Sequence, residues 1–361
     1  MSTTEAAGNL VTIQGLTQGF KTISTHPYHL EGVARDPGYR IQLEEFALNP
    51  AVMIELSSTC NYHCDYCRSP QSDRQKSYMS RELFDHLLPQ LRGLTKRRLR
   101  LHIDGEPMLH PEFPDIALAA NRAGFRLAIA SNASRLSNDL LPVAMDLYIH
   151  LSTSAEEHSR RSPASFEPYV EKIRKYVSGW LEGPCEQNIH LKIYFNGLES
   201  VNEELMRAKR QFVADFTASL GLEWTPDFSC RNASGHELRI LFQQTTEGGL
   251  YPDISGFQNP CELPRDRGFC DSAWKILAVH SDGAVGFCCV DITGKTIFTA
   301  PQEIWEKPLA WIWQHHPKLV EARTQFLSGR VTLPICRDCL DPLPNRESYL
   351  FTDIFPGDPQ G

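Results

Sequence analysis

The cysteines carry the first chemical signal. Eleven occur in 361 residues, and they are grouped. Cys60, Cys64 and Cys67 fall on one short stretch, Cys60-Asn-Tyr-His-Cys64-Asp-Tyr-Cys67. Cys336 and Cys339 form a C-x-x-C near the end, and Cys270, Cys288 and Cys289 lie between the two groups. Three thiolates on one loop can hold three corners of a cubane iron–sulfur cluster, because its irons prefer cysteine sulfur. The fourth iron then has no protein ligand and stays open to a small molecule. A structural zinc site would want a fourth ligand, which His63 is poorly placed to give. A redox pair at Cys64 and Cys67 would leave Cys60 unexplained. The isolated Cys185, Cys230 and Cys261 read as small buried hydrophobes.

Composition narrows the setting of this chemistry. With 36 basic and 44 acidic residues the formal charge is −8, which excludes a polybasic nucleic-acid or membrane binder. No apolar run of about 18 residues exists for a membrane span. The N-terminus, MSTTEAAGNL, has neither the basic nor the apolar segment of a secretory signal. A cytoplasmic chain is expected, where metal or redox chemistry accounts for the thiols better than disulfides do. The length suits about two domains of ~100–200 residues.

The elements that must position the cysteines have an α/β rhythm. Residues 1–49 read as an extension with one strand near 39–46. Val52–Leu56 reads as a buried strand that empties into the cysteine loop. Ser80 caps a helix with Met79, Leu83, Phe84, Leu87 and Leu88 on its apolar face, and Pro89 should kink or end it. Strands follow at Leu99–Ile103, Arg126–Ala130, Leu147–Leu151, Ile189–Phe195 and Leu222–Phe228. Between them lie helices from Phe113 to Gly124, a short one at Leu136–Ala144, and others over 166–180 and 201–220. Six strands alternating with helices predict right-handed βαβ units, with ligands at the carboxyl ends of parallel strands. Asp104-Gly105-Glu106-Pro107, Ser131-Asn132 and Ser152 all stand at such ends. Residues 230–268 read as a linker containing one strand at Glu237–Phe242. A hairpin then turns at Ser281-Asp282-Gly283, and helical segments around 302–314 and 317–328 precede the terminal C-x-x-C. Trp305, Trp311 and Trp313 read as core, and His315-His316 as surface.

The loop of Cys60, Cys64, Tyr66 and Cys67 resembles the C-x3-C-x-aromatic-C loop of the radical S-adenosylmethionine (SAM) superfamily. Asp104-Gly105-Glu106-Pro107 resembles that family's Gly-Gly-Glu-Pro, with Asp104 replacing the first glycine. Ser131-Asn132 resembles the polar pair after the third strand. Ser152, His158, Arg160, Arg161 and Phe166 resemble the next stretch, although the usual Asp-Gly is Thr-Ser here. The resemblance covers roughly residues 50–230. It implies a partial (β/α)6 TIM-like barrel and a [4Fe-4S] cluster on which SAM is held. Glu106 and the backbone near Asp104 and Gly105 would meet the SAM amino group, and backbone at Tyr66 the adenine. Asn132 or Ser131 would meet the ribose, and Ser152, Arg160 or Arg161 the carboxylate. It also implies cleavage of SAM to a 5′-deoxyadenosyl radical, with the electron supplied by an external reductase such as flavodoxin or ferredoxin.

Cys270, the turn at Gly283, Cys288 and Cys336-x-x-Cys339 resemble the first half of the SPASM domain, whose half-length version is the twitch domain. No cysteine follows Cys339. The resemblance therefore implies one auxiliary [4Fe-4S] cluster on Cys270, Cys288, Cys336 and Cys339 in a small α+β domain over 269–345, with a tail over 346–361. Cys289 is the alternative to Cys288. The spacing alone would also permit a four-cysteine zinc site. This layout is similar to the butirosin-pathway aminocyclitol dehydrogenase. The expected activity is hydrogen-atom abstraction from a small polyol or aminosugar, with the auxiliary cluster accepting an electron. Maturation of a ribosomally made peptide is the alternative. Cys261 or Cys289 returning a hydrogen atom would make the outcome epimerisation.

Overall fold

The computed structural model describes residues 10–11, 23–24, 47–64, 67, 72–195, 202–225, 229–244, 272–288, 291, 293–328, 332–333 and 336. The strand expected at 39–46 lies outside them. Two short strands, β1 (Leu10–Val11) and β2 (Ile23–Ser24), pair antiparallel as a ribbon of their own. The remaining strands form one nine-stranded sheet. They are β3 (Ala51–Ile54), β4 (Leu99–Arg100), β5 (Leu127–Ser131), β6 (Met145–His150), β7 (Gln187–Phe195), β8 (Ser229–Arg231), β9 (Glu237–Gln244), β10 (Ile276–Val279) and β11 (Val285–Gly286). Their spatial order is β11-β10-β3-β4-β5-β6-β7-β9-β8. From β3 to β7 and on to β9 every pairing is parallel, which gives the six-stranded partial barrel.

Helices α1 (Arg81–Leu94), α2 (Phe113–Arg122), α3 (Ala155–Arg161), α4 (Phe166–Glu182) and α5 (Glu203–Ala218) fill the crossovers. The oxygen of Ser80 caps α1 by accepting the Leu83 N–H at 3.1 Å. Gly124, at φ +90°, ends the turn after α2. Pro89 does not end α1. The carbonyl it frees belongs to the half-exposed Asp85, where water can serve it, while buried Leu91 and Leu94 anchor the next turn. The stretch expected to be helical at 136–144 holds only a single 3-10 turn at Asn138–Leu140.

Alternation along the strands sorts side chains onto two unlike faces. Val52, Leu99, Leu127 and Met145 lie in register across neighbouring strands and pack under the helices. One residue along, Met53, Arg100, Ala128, Asp146 and Asn188 are in register on the opposite, inner face. Further up the same face stand Tyr148 beside His190, and His150 beside Lys192. The helix side is a hydrocarbon core. The inner side is polar.

Two departures from the sequence reading concern the ends of the sheet. The sixth parallel strand is β9, inside the segment read as linker, whereas 222–225 is coil. The short β8 folds back on β9 antiparallel and covers that edge. At the other end, β10 of the hairpin adds in parallel to β3. The C-terminal helices α6 (Ser272–Lys275), α7 (Glu303–Glu306), α8 (Leu309–His315) and α9 (Pro317–Ser328) then pack into the core shared with the barrel. The Trp313 indole donates to the Ala47 carbonyl at 2.8 Å, and Leu309 N–H donates to Gln90 at 2.7 Å. Trp313 is core, but Trp305 and Trp311 are exposed by 45% and 38%, and each leans on a polar neighbour. His316 is buried with Nε2 3.2 Å from Glu303, while His315 is exposed.

A buried ion pair fastens the joint. Glu55, fully buried, receives Arg74 as a two-pronged fork at 2.9 and 2.6 Å, and Ser281 N–H and Oγ at 3.0 and 3.1 Å. Burial alone would raise this carboxyl. Arg74 and the adjacent His280 outweigh it and hold the group well below the usual carboxylate range. The stabilisation is therefore present above the unfolded value of about 4.3 and is lost as pH falls below it. Glu55→Gln is expected to cost roughly 3 kcal/mol at neutral pH and to flatten the acid limb of the stability curve. Chemical denaturation from pH 3 to 8 checks both.

Candidate functional site

Four segments converge at the carboxyl ends of β3 to β6. The cysteine loop leaves β3 through Ser57-Ser58-Thr59, whose hydroxyls are taken locally: Ser57 Oγ accepts Thr59 N–H at 3.1 Å, and Ser58 Oγ accepts Ser77 N–H at 2.8 Å. Against this backbone lies the turn after β4. Gly105 has φ +69°, and a Cβ there would meet Ser57 O at 2.5 Å and Thr59 O at 2.7 Å. The glycine permits both the left-handed backbone and the contact. Glu106 N–H then donates to Thr59 O at 2.8 Å.

The Glu106 side chain turns the other way and is 2% exposed. Its Oε1 accepts Met108 N–H at 3.0 Å and Ser131 Oγ at 2.8 Å, and its Oε2 accepts Asn132 N–H at 2.7 Å. Burial pushes this carboxyl up to about 7, against the pull of those donors. Asn132 Nδ2 donates to Asn61 Oδ1 at 3.0 Å and lies 3.8 Å from Cys60 Sγ. Asp104 pairs with Lys76 at 2.8 Å and accepts Gly105 N–H.

The fourth segment is α3 with the turn before it. Its Arg161 carbonyl accepts His63 N–H from the cysteine loop at 2.8 Å. The Arg161 guanidinium pairs with Glu157 at 2.8 Å, and Glu157 also takes Lys209 at 3.1 Å and Thr153. Burial would raise Glu157, but the two cations outweigh it and lower it. Thr153, standing where the expected Asp-Gly is absent, thus binds the helix that follows. Ser152 Oγ is buried without a hydrogen-bond partner, and its N–H donates to Tyr169 at 3.3 Å. Fully buried His158 sits between Tyr62 and Tyr169, with ring centroids 5.7 and 4.3 Å away.

The structure therefore gathers Cys60, Cys64, Cys67, Asp104, Gly105, Glu106, Ser131, Asn132, Ser152 and Arg161 around one loop. Arg160 is apart, exposed and paired with Glu156 along the helix surface. Tyr66, Cys261, Cys270, Cys289 and Cys339 lie outside the described residues. Cys288 follows β11, and Cys336 packs on the core beyond α9. Asn61, Lys76 and Glu157 were missed from sequence. Only Asn61 lay within the recognised motif, and the other two act through partners distant in the chain.

The donor set suits a multi-iron cluster. Among the described residues no three His, Cys, Asp or Glu side chains converge as one metal ion would need. A cubane instead takes each thiolate at a separate corner. The Cys60 thiol is pushed up to about 12 by burial, with the negative charge of Glu106, Cys67 and Asp104 adding to it. Without iron it holds its proton, and loading iron must release it.

Gly105→Ala forces a Cβ into the backbone of the cysteine loop at a positive φ. It should lower the iron bound per chain after reconstitution and cost about 2 kcal/mol. Iron assay and thermal denaturation check the two effects separately.

Residues 54–182 match the Radical SAM superfamily, and residues 270–340 match the SPASM iron–sulfur cluster-binding domain. A cofactor-modifying protein for tungsten-containing aldehyde ferredoxin oxidoreductase from Pyrococcus furiosus is 26% identical over 100 residues. That match spans 27% of this chain and 28% of the relative. Among solved structures, BtrN in complex with AdoMet and 2-DOIA is similar over 81% of this chain and 94% of its own, at 16% identity and a TM-score of 0.44. SuiB of Streptococcus suis bound to S-adenosylmethionine is similar over 79% of this chain and 70% of its own, at 12% identity and 0.49. The AdoMet-bound anSMEcpe covers 86% of this chain and 85% of its own, at 12% and 0.48. The matched domains imply a [4Fe-4S] cluster with SAM and auxiliary iron–sulfur chemistry: residues 54–182 form a radical SAM domain, and residues 270–340 an iron–sulfur cluster-binding SPASM domain.

Proposed function

We propose that this radical SAM enzyme oxidises a small polyol or aminosugar, with Cys60, Cys64 and Cys67 holding the SAM-binding cluster. Cys270, Cys288, Cys336 and Cys339 would hold the auxiliary one. The cluster that Cys60, Cys64 and Cys67 would hold would supply one electron to cleave SAM, and the resulting 5′-deoxyadenosyl radical would take a hydrogen atom from the substrate. Removing that atom from a carbinol carbon, with a proton and one further electron, leaves a carbonyl. Held by its four cysteines, the auxiliary cluster would supply the acceptor for that electron, and an external one-electron reductase would supply the first.

The chain's own residues do the positioning. Glu106 ties the strand ends together, and one lone pair of Oε2 beside Asn132 stays available for the SAM ammonium group. Ser131 and Asn132 would meet the ribose, backbone at Tyr66 the adenine, and Ser152 or Arg161 the SAM carboxylate. The observation that carries the substrate class is the polar inner face. Tyr148 stacks on His190 with centroids 4.5 Å apart, and Tyr194 OH lies 3.3 Å from His150 Nε2. Burial holds His150 down to about 3, so its ring is neutral and can exchange hydrogen bonds with hydroxyl groups. Hydroxyl groups of a polyol can exchange hydrogen bonds with such a face, and an apolar substrate would make none. The barrel domain in this reading extends through β9, and the auxiliary domain begins near residue 269.

Anaerobic reconstitution should give a brown protein with about eight irons per chain for two four-iron clusters. Replacing Cys60, Cys64 and Cys67 by Ala should abolish reductive SAM cleavage. Replacing Cys270, Cys336 and Cys339 should spare some cleavage and stop turnover. With an aminocyclitol deuterated at its carbinol carbon, deuterium should enter 5′-deoxyadenosine. Labelling only from a deuterated precursor peptide would replace this reading with peptide maturation, and a zinc protein without SAM cleavage would remove both.

A further inference from the structure

Arg100 is a buried cation with no carboxylate paired to it among the described residues. It lies on the inner face of β4, 4% exposed, in register with Met53 on one side and small Ala128 on the other. Its Nε and Nη2 are buried and have no hydrogen-bond partner. These two N–H groups form the side of the guanidinium that grips a carboxylate or phosphate with two parallel bonds. Its remaining contact is Nη1 to His102 Nε2 at 3.0 Å. The His102 Nδ1 accepts Ala130 N–H at 3.2 Å. Burial first, and then the charge of Arg100, keep this ring neutral, so it has one acceptor nitrogen for two facing donors, the Ala130 N–H and Arg100 Nη1. Donor faces donor, and an acceptor is missing.

The described residues do not supply one. Every other buried carboxylate among the described residues is already engaged. Asp146, on the same face as Arg100, is taken by Arg98, Arg126 and Asn188. Glu55 holds Arg74, Asp104 holds Lys76, and Glu157 holds Arg161 and Lys209. Glu106 accepts Met108, Ser131 and Asn132, and Asp291 accepts Thr293 and Thr296. A buried guanidinium with two idle donors is costly, and a fold that tolerates it gains from a ligand that completes it. The neighbouring electrostatics favour the same sign, since Arg100 and Lys192 both press positive charge on His102.

We propose that Arg100 anchors an oxyanion of the substrate, a carboxylate or phosphate, deep on the inner face of the barrel. The imidazole of His102 then donates to the same group from its Nε2. The substrate class becomes an acidic sugar derivative, such as a sugar acid or sugar phosphate. This rests on the polyol reading for the hydroxyl-bearing body of the substrate, while the anion site rests on Arg100 alone.

The test uses the anaerobically reconstituted, SAM-loaded protein and isothermal titration with gluconate, glucose 6-phosphate and uncharged myo-inositol. At least one anionic probe should bind tenfold or more tightly than myo-inositol, and which one does so separates carboxylate from phosphate. That preference should fall about 10- to 100-fold in Arg100→Gln. Arg100→Lys, which keeps the charge and loses the fork, should recover part of it. Cluster absorbance establishes that each variant is folded and loaded. Equal binding of all three probes, no binding of either anion, or an unchanged preference in Arg100→Gln would overturn the proposal. SAM cleavage by the wild-type protein in the same preparation reports on the enzymatic reading separately.

Discussion

The site depends on one buried carboxylate. Glu106 is bound through its backbone to the cysteine loop at Thr59 and through its side chain to Ser131 and Asn132. Three strand ends that share no local sequence are thereby held at fixed spacing. In a medium of low dielectric such bonds are strong, and an unfilled one is costly, so the arrangement tolerates little slack. Gly105 adds a steric counterpart, since its missing side chain lets the turn lie directly on the loop backbone. The cysteine loop is thus braced from β4, β5 and α3 together, at Thr59, Asn61 and His63.

The two-faced sheet extends the same logic to the rest of the barrel. The helix side carries the apolar rows that supply folding energy, and the inner side is left to polar groups that contribute little to it. Such groups survive in a buried setting only when they are paired with each other or completed by something bound. Asp146 with Arg98 and Arg126 shows the first solution at the amino end of the strands. Arg100, two residues beyond Arg98, is left to the second.

Much of this was legible in the sequence where the signal is local. The cysteine spacing, the Ser80 cap, the Asp282-Gly283 turn and the apolar stripe of α4 each depend on residues a few positions apart. The misreadings involve partners far apart in the chain. Residues 222–228 are as apolar as a strand, yet Glu237–Gln244 is what pairs with β7, because its register places Leu238 and Ile240 against the helices. No pattern within Ile276–Val279 announces that it joins β3 rather than a separate domain. The chemistry around Glu157 was hidden likewise, since Lys209 lies 52 residues away and reaches it only after α5 has docked. Trp305 and Trp311 were misread because residue type says nothing of which side of a short helix meets the core.

The parallel pairing of β10 with β3 also bears on biogenesis. Ser281 and Glu55, which seal that joint, are 226 residues apart. During synthesis the cysteine loop and the strand that leads into it emerge early, while the strand that completes their edge emerges late. Until then β3 is an open sheet edge, and Arg74 and Glu55 lack Ser281 as a third partner. So long a separation makes closure slow relative to the local βαβ units. The nascent protein therefore passes through an interval in which its first three thiols are present on an incompletely braced loop, accessible to iron–sulfur donors and to oxidants alike.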